Sequence, residues 1–279
     1  MKRVLAIIVS YNGRNWLERC LSSVAGEADL FVWDNASRDG SADYVASAFP
    51  QARLIRSNEN LGFALPNNRG FEYALQTGYE YVYLLNQDAW LEAGALDKLV
   101  SAADAHTEFG LLSPMQMQKG CSIPDLQFGK ILSRAERGGE LVEVKWLMAA
   151  HWLISVAALK KVGLFNDVLF PLWGQDDDWC NRLRYCGWKA GIVTGAMAVH
   201  DRAQRRETLD VMVKRNYYTA SLVRLADPGR AFPVQIAYVL LFTLVKSLKY
   251  RSFMPFRYLK SIFGRIPELR AARKRAKNS

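Results

Sequence analysis

The sequence predicts an α/β protein built on a mostly parallel sheet with helices on both faces. Three observations carry this. Short apolar runs recur at Val4–Val9, Leu30–Trp33, Arg53–Ile55 and Tyr81–Leu85, as expected of strands buried on both sides. Segments with helical spacing of apolar residues lie between them. Each run ends abruptly in polar residues.

In chain order, Val4–Val9 ends at Ser10-Tyr11-Asn12-Gly13, and a helix follows with Trp16, Leu17, Cys20, Leu21 and Val24 on one face, closed by Gly26. Leu30–Trp33 ends in Asp34-Asn35-Ala36-Ser37, and Ser41–Phe49 fits a helix. Arg53–Ile55 runs into Ser57-Asn58. A Gly- and Asn-bearing segment leads to a helix over Asn67–Thr77, then to the strand that delivers Asn86-Gln87-Asp88, with a helix at Glu92–Ala103 beyond. Strand and helix alternate, which argues for right-handed crossovers and a parallel sheet. Open α/β sheets bind ligands outside the carboxyl ends of their strands. Tyr11-Asn12, Asp34-Asn35 and Asn86–Asp88 should therefore share one edge, around a nucleotide-sized crevice. A carboxylate such as Asp88 can hold a divalent cation there, since Mg²⁺ uses one or two protein carboxylates plus substrate phosphates. The plainer alternative is a strand followed by a polar turn. No G-x-G-x-x-G follows the first strand and no G-x-x-x-x-G-K-[ST] occurs, so neither a dinucleotide fingerprint nor a P-loop is supported.

The second half is less regular. Strands are expected at Gly110–Met115, Leu141–Trp146, His151–Ser155 and Val193–His200, helices at Val156–Val162 and Asp177–Cys186, and a loop over Gln116–Gly139. Asp176-Asp177-Asp178 suits a helix N-terminus, where acids favour the macrodipole. Trp173 and Trp179 hem these acids, and Arg182 and Arg184 are the nearby bases, so crowding should raise at least one carboxyl pKa. Such a carboxylate is a reasonable general base. His200 ends a strand; a lone histidine there is usually a surface residue, and it becomes a metal-ligand candidate if the fold brings it to Asp88.

The net charge of +10 is unevenly placed: the segment from Arg230 onward carries +11 and the rest −1. Glu207–Leu225 reads as a helix, broken by Asp227-Pro228-Gly229. Phe232–Leu248 is strongly apolar, but its uncharged core is short of the ~20 residues of a membrane span. Phe253, Phe256, Leu259, Ile262 and Phe263 then interleave with Arg257, Lys260 and Arg265. That mixture describes helices lying in a membrane interface, on an anionic surface rather than on nucleic acid; a core helix with a solvated tail is the alternative. Met1-Lys2-Arg3 leads into an apolar run too short for a secretory signal. Cys20, Cys121, Cys180 and Cys186 show neither a CxxC pair nor zinc-finger spacing, so free thiols in a reducing cytosol are expected.

Taken together, Val9-Ser10-Tyr11-Asn12, Asp34 to Ser41, Asn60-Leu61-Gly62-Phe63-Ala64 with Asn67-Asn68-Arg69-Gly70, and Leu84 to Asp88 resemble the motifs of family 2 glycosyltransferases. Val162 to Asn166, Gln175 to Arg182 and His200 resemble later motifs of the rhamnosyltransferase-like branch that builds bacterial surface polysaccharides. The resemblance runs over about residues 4–202. It implies a GT-A fold and inverting transfer from a nucleotide-diphosphate sugar, dTDP or UDP ahead of GDP, to a lipid-linked or glycan acceptor. It implies that Asp34 hydrogen-bonds the base, that Tyr11, Asn12, Asn60, Asn67, Asn68, Asn86 and Gln87 line the donor, and that Asp88 and His200 hold Mg²⁺ or Mn²⁺. Asp176 falls on the general base, with Trp173, Gln175 and Asp177 toward the acceptor. Two positions depart from the pattern: Asn86 replaces the first Asp of the DxD motif, and Gln175 replaces a Glu, removing a carboxylate that could orient the acceptor.

The expected organisation is a GT-A domain over 1–205, divided into a nucleotide-sugar half (1–115) and an acceptor half (116–205). A basic helical extension over 206–279 would hold the protein peripherally on the cytoplasmic face of the cell membrane. Two other readings stay open on sequence: a sugar-phosphate nucleotidyltransferase, and a non-catalytic sugar-nucleotide-binding partner of another transferase.

Overall fold

Val4–Ser10 (β1) is flanked by two parallel neighbours, Asp29–Asp34 (β2) and Tyr81–Asn86 (β4), and Arg53–Arg56 (β3) extends the sheet beyond β2. Helices Arg14–Ala25 (α1), Ser41–Ala48 (α2) and Ala64–Thr77 (α3) make the crossovers. The computed structural model describes residues 2–118, 124–125, 128–129, 139–201 and 208–278. Most of the expected 116–139 loop, Cys121, and the expected helix start at Glu207 lie outside the described residues.

The other half of the sheet is mixed. Its strands are Ala89–Leu91 (β5), Phe109–Gln118 (β6), Leu141–Val144 (β7), His151–Ser155 (β8) and Lys189–His200 (β9). The order is β3-β2-β1-β4-β8-β6-β9-β5, with β7 also on β9. β8 runs antiparallel to β4 and β6, β5 and β7 run antiparallel to β9, and β6 and β9 are parallel. The sheet is therefore parallel where the βαβ repeat is regular and mixed beyond it.

Two apolar clusters fill the faces of this sheet. One gathers Leu5, Ile7, Phe71, Leu84, Trp152 and Trp179 under α3, helix Val156–Val162 (α5) and helix Gln175–Tyr185 (α6). The other gathers Val4, Ile8, Leu17, Leu21, Tyr83 and Leu99 under α1, α2 and helix Ala95–Ala105 (α4). Alternate residues of β1 thus go to opposite cores, as the period of two requires. Gly70 lets α3 lie close on β1: a Cβ there would come within 2.5 Å of Ile7 Cδ1.

The C-terminal helices are Leu209–Val213 (α7), Ala220–Ala226 (α8), Phe232–Tyr250 (α9), Met254–Gly264 (α10) and Ile266–Asn278 (α11). Lys214–Thr219 joins α7 to α8 without a break as a π-helical turn. A third apolar cluster holds these helices together and includes Leu169 and Phe170 from the main body. Arg265 donates to the Val168 carbonyl at 2.8 Å, a second tie to the body. The 19 residues of α9 reach about 28 Å. With a mean hydropathy of 1.3, α9 is long and apolar enough to cross a membrane by length and composition, against the expectation of a segment too short to span. Only 17% of its apolar window is buried. Leu241, Leu244, Val245 and Leu248 lie exposed on α9, and Phe253 just beyond it.

Candidate functional site

Register places the site. Ser10 pairs with Asp34 across β1 and β2, and Val9 pairs with Asn86 across β1 and β4, so the three polar strand ends do share one edge. The loops after β1 and β2 are locked together there. Asn12, at φ 49°, donates its N–H to Ser37 Oγ at 2.9 Å and accepts the Arg38 N–H on its side-chain oxygen at 2.9 Å. Asp39 accepts the Arg14 and Ser41 N–H groups, and Ser41 Oγ accepts the Gly13 N–H. Tyr11, just before Asn12, is exposed at this edge.

Asp34 is 3% exposed. Its Oδ2 accepts the Ser37 N–H at 2.9 Å, while its Oδ1 is buried with no hydrogen-bond partner among the described residues. Buried polar atoms are nearly always paired, so this oxygen is an acceptor in wait of a donor. Asn35, at the same edge and without a role expected from sequence, braces the neighbouring loop. Its side chain accepts the Trp33 indole N–H and the Leu61 N–H and donates to the Gly62 carbonyl.

The remaining candidate donor contacts divide by what their side chains already hold. Gln87 bonds the backbone of Tyr11 at both ends, 2.8 Å to N and 3.1 Å to O, and lies against Gly13, where a Cβ would collide with Gln87 Oε1. Asn68 is buried and bonds Phe165 twice, at 3.0 Å to its O and 2.9 Å from its N. Gln87 and Asn68 thus shape the crevice by holding backbone. Asn67, also buried, donates to the Phe63 carbonyl at 2.8 Å, and exposed Asn60 accepts the Gly62 N–H at 2.9 Å. Asn86 is half-buried, and its N–H donates to the Ala150 carbonyl.

Asp88 and His200 come together because Ala89 pairs with His200 in the β5–β9 ladder. His200 Nε2 is 3.4 Å from Asp88 Oδ1. No group of three or more His, Cys, Asp or Glu suited to a metal occurs among the described residues. The pair nonetheless fits a hard divalent cation, because one carboxylate and one imidazole leave positions for donor phosphates. His151, not singled out in the sequence, sits just behind. It is fully buried, bonded through Nδ1 to Tyr83 OH at 2.8 Å and through Nε2 to the Val199 carbonyl at 3.2 Å. Burial pulls its pKa down to about 3, so it stays neutral and supports the β4–β8–β9 junction as a hydrogen-bonding group.

Asp176 stands in the first turn of α6, whose N-cap Gly174 has φ 89°. Burial raises its pKa from the ordinary carboxylate value to about 6, opposed by backbone N–H groups including that of Ala149. Ala149 precedes Ala150, the residue bonded to Asn86, and this places the carboxylate close to the strand end that carries Asp88. Asp177 lies on the solvent side, and its pKa is also pushed up, by desolvation and by the Asp176 charge. The expected crowding is therefore present. The third acid faces the other way and holds structure. Asp178 pairs with Arg182 at 2.9 Å, and that guanidinium holds the carbonyls of Val162 and Leu164. Trp179 is core, donating its indole N–H to the Gly163 carbonyl. Arg184 bonds the Lys145 carbonyl and Asn181, away from the acids.

Trp173, Gln175, Asp176 and Asp177 form one wall of a cavity of about 780 Å³ whose other walls come from α7–α9. Gln175 is 7% exposed; its Nε2 donates to the Leu172 carbonyl, and its Oε1 has no partner among the described residues. Sequence pattern does not reveal this cavity, since its far wall is a helix face that becomes a wall only by packing.

Residues 5–115 match the family described as glycosyl transferase family 2. The chain is 26% identical over 241 residues to N-acetylglucosaminyl-diphospho-decaprenol L-rhamnosyltransferase of Mycobacterium tuberculosis, covering 73% of this chain and 78% of that protein. Among solved structures it resembles S. aureus TarS 1–349 in complex with UDP-GlcNAc, with TM-score 0.59, 16% identity, and 84% of this chain and 69% of that chain covered. It also resembles a Pyrobaculum calidifontis mannosyltransferase in complex with GDP-Man and Mn²⁺, with TM-score 0.57, 18% identity, and 94% and 86% covered. At these identities the structural likeness establishes the GT-A fold.

Proposed function

From the premise that this chain is a family 2 glycosyltransferase of GT-A fold, we propose that it transfers a sugar with inversion from a nucleotide-diphosphate donor to a hydroxyl of a lipid-linked acceptor. The observation that carries this reading is the position of Asp176. It is a carboxylate with raised proton affinity, on the wall of a large cavity, joined through Ala149–Ala150 to the strand end of the nucleotide crevice. The likeness to a rhamnosyltransferase makes rhamnose the first donor sugar to test, carried on dTDP or UDP.

In this mechanism Asp34 accepts a hydrogen bond from the base through its unpaired Oδ1, and Tyr11 and Asn12 line the nucleotide. Asn60, Asn67 and Asn86 flank the donor, while Asn68 and Gln87 fix the backbone around it. Asp176 takes the proton of the acceptor hydroxyl as that oxygen bonds to the anomeric carbon from the face opposite the diphosphate. The bond from that carbon to the phosphate oxygen breaks, and its electron pair leaves on the diphosphate. A divalent cation held by Asp88 and His200 would stabilise that charge. No covalent sugar–enzyme intermediate forms. The same reading makes 1–205 the transferase unit and 206–279 the part that meets the cytoplasmic leaflet. The family match leaves a nucleotidyltransferase reading without support.

Calorimetry with a panel of nucleotide-diphosphate sugars, with and without Mg²⁺ or Mn²⁺, tests the donor site. One donor should bind with metal and lose affinity in Asp88→Ala. Failure of every donor to bind folded protein would end the proposal.

A further inference from the structure

The cavity beside Asp176 is larger than a general base needs. At about 780 Å³ it lies within the ~300–1,000 Å³ of small-molecule sites. Facing the two aspartates are Arg215, Arg224, Arg230, Lys246 and Lys249. Asp227, the other acid in the lining, is engaged by Arg230 at 2.7 Å. Two donors in the same lining, Arg224 Nε and Trp146 Nε1, are buried with no acceptor among the described residues.

The cations stand on an aromatic floor. The Arg224 guanidinium lies 3.5 Å from the Tyr238 ring centroid and Lys246 Nζ 4.9 Å from that of Phe242. Tyr238, Phe242, Lys246 and Lys249 recur along one face of α9. The exposed stripe Leu241, Val245 and Leu248 runs beside that face, about 60° or more round the helix. The arrangement therefore offers, in sequence, a base for a sugar hydroxyl, a cluster of cations, and an apolar strip leading outward.

We propose that this cavity binds the diphosphate of an isoprenoid-diphosphate-linked sugar acceptor, whose hydrocarbon chain leaves along the outer face of α9. The proposal rests on the transferase reading above and assigns its acceptor a place. Bilayer phosphates are the competing source of the same chemistry. The cations share the cavity with Asp176, and this favours a substrate that enters the cavity over a headgroup that stays in the bilayer.

The test uses full-length protein and farnesyl diphosphate as probe, in Mg²⁺ with UDP and dTDP in excess so that the nucleotide crevice is not available to it. Farnesyl diphosphate should bind at least about tenfold more tightly than farnesol or inorganic diphosphate. The pair Lys246→Gln and Lys249→Gln should weaken it about tenfold, with melting temperature and nucleotide binding unchanged. Lys249→Glu alone, at an exposed position, carries the same comparison should the pair melt early. Absence of binding, or equal binding by wild type and variants, overturns the proposal. So does a variant that keeps farnesyl diphosphate but loses phosphatidylglycerol vesicles, because the lysines then serve the bilayer. Nucleotide-sugar binding is measured separately, so failure of the transferase reading appears there while the probe result stands alone.

Discussion

Gly174 and Thr219 meet so closely that a Cβ on the glycine would lie 2.6 Å from the threonine Cγ2. The contact joins the start of α6, which carries Asp176, to the π-helical turn of the C-terminal helices. Gly174 also holds φ 89°, a left-handed conformation that costs other residues about 1–2 kcal/mol. Adding about 1–3 kcal/mol for overpacking, Gly174→Ala should lose about 2–5 kcal/mol in urea denaturation. Adding Thr219→Ser, which removes Cγ2, should recover part of the packing loss, since Val223 Cγ2 would still lie 2.9 Å from the new Cβ, and leave the backbone part. Full stability in Gly174→Ala would mean that the two units do not meet as described.

Asp34→Asn keeps size and the bond from the Ser37 N–H but replaces one acceptor oxygen with a donor. Nucleotide affinity should fall by tenfold or more, about 1.4 kcal/mol, with little change in melting temperature. Titration of the nucleoside diphosphate by calorimetry reads this directly, and unchanged affinity would remove Asp34 from base recognition.

Asp176 must be ionised to accept a proton. Its pKa, raised to about 6, predicts a kcat/KM that falls tenfold per pH unit below that value, absent in the residual rate of Asp176→Asn. The stability sign is opposite. A carboxyl whose folded pKa exceeds its unfolded value favours folding at low pH and loses that contribution as pH rises from about 4 through about 6. Asp176→Asn should accordingly melt higher than wild type at pH 8 while losing turnover. A lower melting temperature there would show that the charge is compensated in the fold.

Much of this was legible in the residues. The apolar runs of β1 to β4 and their polar ends name the crevice because a parallel sheet exposes every strand end at one edge. The three-residue β5 was not legible: Ala89–Leu91 lies between a turn and a helix and is a strand only through β9. That pairing is also what brings His200 to Asp88, so the histidine could be nominated but not placed. Asn68 and Gln87 look like ligand contacts in sequence, since nothing local shows that their amides hold Phe165 and Tyr11. From sequence the tail's basic charge is assigned as a whole to an anionic surface, whereas packing puts Lys246 and Lys249 in the cavity lining.

Asn68→Ala separates its structural role from donor contact. Truncation leaves the Phe165 N–H and C=O without their partner, at about 1–3 kcal/mol for each buried group. Chemical denaturation should show a loss of about 2–6 kcal/mol. A variant of unchanged stability that loses only donor affinity would instead make Asn68 a ligand.

The exposed apolar side of α9 and the basic residues of α10 predict association with anionic membranes. Full-length protein should float with phosphatidylglycerol liposomes in a density gradient, and Leu241→Asp with Val245→Asp should sediment. Wild-type protein that stays at the bottom would overturn the membrane role of residues 206–279.

The π turn at Lys214–Thr219 amounts to a one-residue insertion in an otherwise α-helical rod. Such an insertion bulges locally and leaves the helix on either side in register. Removing one residue there would let the rod close as plain α-helix between Val213 and Ala220, with both ends in place. The wall at Asn216 and Thr219 would retreat while Asp176 stayed where it is. Chain length at this turn is therefore a means of resizing the cavity while Asp176 and the strand ends keep their positions.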